Sequence, residues 1–269
     1  MHWRYLPDDG ERDPRINLAR EEAIARHVGA DASASTPVLR LWRDAPCVVV
    51  GRFQLAAAEV DAPAAAALGA PVLRRFTGGG TVWHDPGNLN VSVVVRPEDA
   101  FLAADPSLRR LPGLYRIVLA PLTAAVRSLG VAAELTERDI VAPGGKLSGV
   151  AAWLGGRALL VHATLLVDAD LEALTRVCSG PGAPGDPRWE RTRSRRVRVT
   201  SVARELGAVP AADDVEMAVL RAFGANAVAP TALTHAELLA TERLLADRYA
   251  VSAWHADTNE RSGTGQAGA

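Results

Sequence analysis

A chain of 269 residues, 48% of them hydrophobic, is long enough to bury one core of ordinary size without disulfide or metal support. Its 30 basic and 31 acidic residues leave a net charge of -1, and the densest basic stretch, Arg191 to Arg198, is interrupted by Thr192, Ser194 and Val197, so nothing global points to nucleic acid or an anionic membrane. Two cysteines, Cys47 and Cys178, exclude a disulfide framework, and neither a signal-peptide core nor an apolar run near the roughly 18 residues of a membrane span is present, so a cytoplasmic protein, monomeric by default, is expected.

In chain order, Ile16, Ala19, Ala23 and Ile24 share a face at helical spacing in a segment opened by Asn17, which predicts a first helix. Val38 to Trp42, Cys47 to Val50 and Val72 to Arg74 are short branched runs bounded by Pro or Gly and read as strands. Leu89, Val91, Val93 and Val95 alternate with Asn88, Asn90 and Ser92, the period of a strand with one apolar face and one polar face able to line a site. Leu114, Val118, Leu122, Ala125 and Leu129 form a helical stripe in which Pro121 predicts a kink or a late start. Leu159 to Val167 is a strand whose polar exceptions, His162 and Thr164, share a face. Helices follow, with Asp213 and Thr234 as N-caps and Glu216 and Glu237 in capping-box spacing. The expected fold class is α+β, a mixed or antiparallel central sheet flanked by helices, in one domain over residues 1–255 with a disordered Gly/Ser-rich tail over 256–269.

Chemistry concentrates in two places. The run Arg74-Arg75-Phe76-Thr77-Gly78-Gly79-Gly80-Thr81-Val82-Trp83-His84 continues through Asp85-Pro86-Gly87-Asn88-Leu89-Asn90. Three consecutive glycines leave backbone N–H groups uncovered for an anion, and the arginines upstream suit bidentate contact with phosphate. The string is neither a P-loop nor a dinucleotide fingerprint. The second place is Lys146, the single lysine among 30 basic residues. In a chain biased toward arginine, a surviving lysine marks a position where a compact ammonium is needed and a wide planar fork does not serve.

The glycine string resembles the signature of the lipoate-protein ligase A family, within the wider biotin/lipoate ligase group. Asn17 to Glu22, Leu41 to Arg43, Val50 to Gln54, Asp139-Ile140 with Gly145 to Gly149, and His162 to Leu166 agree with that family in order and spacing. The resemblance implies a biotin/lipoate protein ligase-like catalytic domain that uses ATP and Mg2+ to condense lipoate or octanoate into an acyl-adenylate. The acyl group then passes to a lysine of an acceptor lipoyl domain, on 2-oxoacid dehydrogenase E2 subunits or the glycine cleavage H protein. Lys146 is then the catalytic residue, bridging carboxylate and α-phosphate. Arg75, Gly78, Gly79, Gly80, Thr81, Val82, Trp83 and His84 attend the nucleotide, Arg75 by its charge and 80 to 83 by main chain. Asp139 orients the lysine or helps hold Mg2+. Trp42, Val50 and Gly51 wall a dry slot for the acyl chain, with Arg75, Gly80, His162 and Thr164 also near the substrate.

Three features depart from the family pattern: Arg138 stands where many ligases have Asn, Ala163 where many have Gly, and similarity stops near Trp254, where larger ligases continue into an accessory domain that other systems supply as a separate polypeptide. Two other readings stay open. An ATP-independent octanoyl or lipoyl transferase of the same fold needs a thiolate nucleophile shortly before the lysine segment, where Val131 to Gly145 holds no cysteine. A partner-dependent lipoyl-binding subunit would be inactive alone.

Overall fold

A computed structural model describes residues 2–30 and 36–257. Among the described residues ten strands form two sheets. Strands β1 (Arg4–Leu6), β2 (Val38–Trp42), β6 (Asn88–Val95), β7 (Glu134–Leu135), β8 (Ile140–Ala142), β9 (Gly145–Leu154) and β10 (Leu159–Leu166) make the large sheet, in the order β1-β2-β6-β10-β9-β8-β7. Its pairs are antiparallel except β1 with β2, so the sheet is mixed, as the sequence predicts. A small sheet joins β3 (Cys47–Val50) between β4 (Val72–Arg74) and β5 (Val82–His84).

The alternation in β6 and β10 becomes the two faces of the large sheet. Leu89, Val91, Val93, Val161, Ala163 and Leu165 form the main core with Leu114, Val118 and Leu122 of helix Gly113–Ser128. Pro121 lies inside that helix and neither delays nor ends it. On the opposite face the register aligns two polar rows: Arg40, Ser92, His162 and Ala151 in one, Trp42, Asn90, Thr164 and Gly149 in the next.

The first helix begins at Pro14, three residues before Asn17. Proline suits a first helical turn because its missing N–H would have no partner there. Asn17 is instead buried, and its Nδ2 donates to Asp44 Oδ1 at 2.9 Å. This helix, Pro14–Ala30, lies between the sheets: Ile24, Ala25 and Val28 pack on Val38, Val94 and Leu160, and Leu18 and Ala19 pack on Cys47, Val49 and Leu73. At the C-terminal end, Thr234 and Glu237 form the reciprocal capping box, with N–H to side-chain oxygen distances of 2.8 and 3.2 Å. Asp213 is not an N-cap. Helix Ala212–Ala222 starts one residue before it, and Glu216, the expected box partner, is held by Arg43 at 2.6 Å. Most of the expected tail, 258–269, lies outside the described residues. Asp257 accepts from the N–H groups of Ala56 and Ala57, both at 2.8 Å, and from Arg74 at 2.8 Å. Among the described residues no helix is long and apolar enough to cross a membrane.

Candidate active site

A cleft of about 570 Å³ opens between the polar face of the large sheet and the small sheet. The glycine string forms the turn between β4 and β5 that closes one side. Gly79 needs its positive φ of 85°, and a Cβ there would stand 2.8 Å from Ala151 Cβ and 2.9 Å from Arg75 Nη2. Gly51 crosses the turn so closely that a Cβ would sit 2.1 Å from the carbonyl oxygen of Gly79.

Arg75 organises this turn from inside. Its guanidinium donates to the carbonyls of Gly78 and Gly80 at 2.6 and 2.7 Å, to Val49 O at 3.2 Å and to Thr77 Oγ1 at 2.9 Å. Every acceptor is neutral, and no carboxylate pairs with it among the described residues. Burial without a counter-ion lowers its pKa to about 10, still far above neutrality, so an uncompensated cation lines the cleft.

Lys146 is the second residue of β9, not a loop residue; its N–H donates to Arg198 O and its carbonyl accepts from Thr200 N–H, both at 2.9 Å. Nζ lies 2.6 Å from Asp139 Oδ1, while Asp139 Oδ2 is 3.4 Å from Arg195. Asp139 is the only carboxylate lining this cleft among the described residues, and both of its oxygens face cations. The backbone next to the lysine needs glycine. Gly145 has φ +141°, and a Cβ on Gly144 would meet Glu205 Oε1 at 2.1 Å.

The two polar rows supply connected hydrogen bonds beneath the cleft. His162 Nε2 meets Thr77 Oγ1 at 2.9 Å and its Nδ1 meets Glu21 Oε2 at 3.3 Å; Glu21 in turn accepts from Ser92 and Arg40 at 2.6 and 3.0 Å. Burial lowers the His162 pKa and outweighs the pull of Glu21, so the imidazole is neutral at pH 7. Burial also works against the Glu21 carboxylate, but its bonds from His162 and the Arg40 charge prevail and its pKa is lowered. In the next row His84 bridges Asp44 Oδ2 at 2.8 Å and Thr164 Oγ1 at 3.1 Å, and Thr164 donates to Asn90 Oδ1 at 2.7 Å. Asn90 Nδ2 has no partner among the described residues. Asp44, Cys47 and His84 bring three ligand atoms within 4.8 Å, and Asn17 and His84 use both Asp44 oxygens, so in this structure the cluster acts as a hydrogen-bonded support.

Trp42, Arg75, Gly79, Gly80, Thr81, Val82, His84, Asp139, Lys146, His162 and Thr164 all line the cleft. Gly78, Gly51, Val50 and Trp83 do not. Strand alternation explains the last two: Val48 pairs with Trp83 and Val49 with Val82, so Val49 and Val82 face the cleft while Val48, Val50 and Trp83 pack in the small core. Trp83 Nε1 is tied to Asp85 at 2.7 Å. The sequence reading missed Leu18, Tyr115, Leu174 and the segment 191–197 in the lining. Ser194 is held there by contacts no periodicity signals. Its Oγ accepts from Thr81 N–H at 2.8 Å and Gln54 Nε2 at 3.0 Å, and its N–H is held by Glu59 at 3.1 Å. Cys178 lines the cleft too, half-buried, its thiol pushed up to about 12 by burial.

The lipoyl protein ligase A/B catalytic domain family matches residues 13–224. The chain is 32% identical to lipoate-protein ligase A subunit 1 of Thermoplasma acidophilum, over 83% of each chain. It superposes with a TM-score of 0.76 on a T. acidophilum protein solved with bound lipoic acid, at 28% identity, covering 96% of this chain and 100% of that one. A crystal structure of lipoate-protein ligase A bound with ATP gives 0.75 at 29% identity, covering 95% and 98%.

Proposed function

The chain belongs to the lipoyl protein ligase A/B catalytic domain family, and from that premise we propose that it is a lipoate-protein ligase, joining lipoate or octanoate to ATP and passing the acyl group to a lysine of an acceptor lipoyl domain. The observation that carries the reading is the placement of the chain's only lysine. Lys146 stands on the wall of a cleft whose buried cation, Arg75, has no counter-ion among the described residues, and part of whose wall is apolar through Leu18, Trp42, Val49 and Leu166. The lipoic acid and the ATP bound by two similar proteins are the ligands such a cleft suits.

In the first step a carboxylate oxygen attacks the α-phosphorus of ATP, the P–O bond to the β-phosphate breaks, and pyrophosphate leaves with the electron pair. Two anions must meet, so fixed positive charge has to stand where they converge. Lys146 supplies a point charge able to bridge carboxylate and phosphate, and Asp139 positions it. Arg75 pulls the carbonyls of Gly78 and Gly80 inward, and the Gly79 and Gly80 N–H groups, which have no partner among the described residues, can face an anion; Gly78 N–H donates to Ala152 O and Thr81 N–H already holds the Ser194 hydroxyl. The acyl chain lies in the apolar slot walled by Leu18, Trp42, Val49 and Leu166. In the second step the acceptor amine attacks the acyl carbon, AMP leaves with the electron pair of the anhydride bond, and the amine gives up its proton as the amide forms. Mg2+ fits as an ion carried in by the nucleotide phosphates, since Asp139, the one lining carboxylate among the described residues, already faces two cations.

Cleavage through a cysteine thioester is disfavoured by the same geometry. Cys47 is fully buried, and the Cys178 thiol, at about 12, is protonated at neutral pH. Dependence on a partner polypeptide has one observation in its favour, the name subunit 1 carried by the Thermoplasma relative. Purified protein incubated with lipoate, Mg-ATP and an acceptor lipoyl domain separates these readings. Lipoylation that requires ATP and releases pyrophosphate is the expected result; acyl transfer from an octanoyl carrier without ATP refutes it. Adenylate formed without transfer, cured by a second polypeptide, identifies the split arrangement.

A further inference from the structure

The basic run at 191–198, interrupted and unremarkable in sequence, is gathered by the fold at the mouth of the cleft. Arg191, Arg193 and Arg195 line the main cleft together with Arg138, and Arg198 lines a smaller one of about 350 Å³ on the far side of the Asp139–Lys146 pair. The side chains of Arg138, Arg193 and Arg195 are 61%, 58% and 67% exposed, which aims them at solvent and not into the slot. Opposing charge is thin. Arg138 reaches Glu137 only at 3.9 Å and Arg193 reaches Glu190 at 3.6 Å, both solvated contacts of small worth. Arg191 and Arg198 make no ion pair among the described residues. A chain with net charge -1 thus carries a local surplus of positive charge on one rim.

The anion-binding needs of the slot are met deeper, by Arg75, Lys146 and the glycine turn, so the rim faces whatever arrives second. On the ligase reading, on which this inference rests, the second substrate is a lysine. A ring of guanidinium groups lowers the pKa of an approaching ammonium and so favours the neutral amine that attacks. The same field would repel the acceptor as a whole unless the surface around its lysine is negative. We propose that Arg138, Arg191, Arg193 and Arg198 form the docking surface for an acceptor domain whose target lysine is set in an acidic patch. Long-range attraction between the two patches steers the encounter, and the arginine-to-carboxylate contacts then fix its orientation.

The test isolates the second step. Synthetic acyl-adenylate is supplied, and transfer to an acceptor lipoyl domain is followed at several salt concentrations for wild type, for R138Q/R191Q/R193Q, and for the corresponding triple lysine variant. Binding of a sulfamoyl analogue of the adenylate is measured for each. The Gln variant is expected to raise the acceptor KM about tenfold and to flatten its salt dependence, because screening no longer has a rim charge to act on. The Lys variant, which keeps the charge, is expected to stay within about twofold of wild type, and all three proteins to bind the analogue alike. A Gln variant with wild-type KM overturns the proposal, as does one that loses analogue affinity in step with transfer, which would assign the arginines to the nucleotide. Wild-type protein that fails to bind the analogue refutes the ligase reading itself, and the docking surface with it.

Discussion

His162 shows how one side chain ties the cleft to the interior. It sits between Thr77 of the glycine turn and Glu21 of the first helix, and its own backbone is the centre of a polar row across β6, β10 and β9. Because burial lowers its pKa from the ordinary 6.5, the folded protein binds fewer protons here than the unfolded chain once the pH falls below about 6.5. The stability this histidine contributes is therefore fully present above 6.5 and is lost as the pH falls through the folded-state value. Glu21, lowered from 4.5, adds a second loss at more acidic pH. Urea unfolding between pH 7.5 and 5.5 should show falling stability for wild type and a shallower fall for His162→Gln. His255, also lowered by burial, leaves some slope in the variant. Equal slopes would mean that His162 is not held neutral.

At the scale of elements, the segment that covers the cleft hangs on Glu59. This buried carboxylate accepts Trp189 Nε1 at 2.7 Å and the Ser194 N–H at 3.1 Å, docking helix Pro187–Thr192 and the residues after it beside the glycine turn. Glu59→Gln keeps the shape but loses the charge-assisted acceptor, a cost of about 1–3 kcal/mol carried mostly by local opening. Trypsin should then cut within 191–198 several-fold faster while the global melting temperature moves little; an unchanged cleavage rate would show that Glu59 does not latch the segment. Nothing in the sequence marked Glu59 or Ser194 as partners, since they lie 130 or more residues apart, and Gln54 entered only as the end of the Val50–Gln54 stretch that resembles the family. What was legible was what has a period. The Asn88–Asn90–Ser92 alternation and the His162–Thr164 pair gave the polar face of the sheet, and the capping box at Thr234 gave a helix start. The family resemblance put Val50 in the wall, whereas strand alternation puts Val49 there and turns Val50 into the small core. Spacing without partners failed at Asp213, because Glu216 found Arg43 before it found a cap.

Across the whole molecule, the C-terminal helices are fastened to the first helix by Glu22. This fully buried carboxylate accepts the Tyr249 hydroxyl at 2.7 Å and pairs with Arg26 at 2.6 Å and with Arg248. The Arg4–Glu237 pair at 2.6 Å joins the capping box of helix His235–Leu244 to the edge strand β1. Tyr249→Phe removes one hydrogen bond to a buried charge and should cost about 2 kcal/mol in denaturant unfolding, with the KM for ATP unchanged. Loss of less than about 0.5 kcal/mol would mean that this seam contributes little to stability.

The helix Pro14–Ala30 connects that seam to the site: Glu22 faces the C-terminal helices while Glu21 reaches the row beneath the cleft. The fold thereby sets one lysine, held by one aspartate, in the same cleft as a buried arginine that has no counter-ion among the described residues. The claim that this lysine performs the activation step is tested by Lys146→Arg, which keeps the positive charge and the Asp139 partner but replaces a point charge with a planar fork. Purified variant and wild type are incubated with lipoate and Mg-ATP, and acyl-adenylate is read by mass spectrometry beside a melting curve. Wild type is expected to form adenylate, and the variant at least a hundredfold less at an unchanged melting temperature. Adenylate formed by the variant at the wild-type rate would contradict that claim.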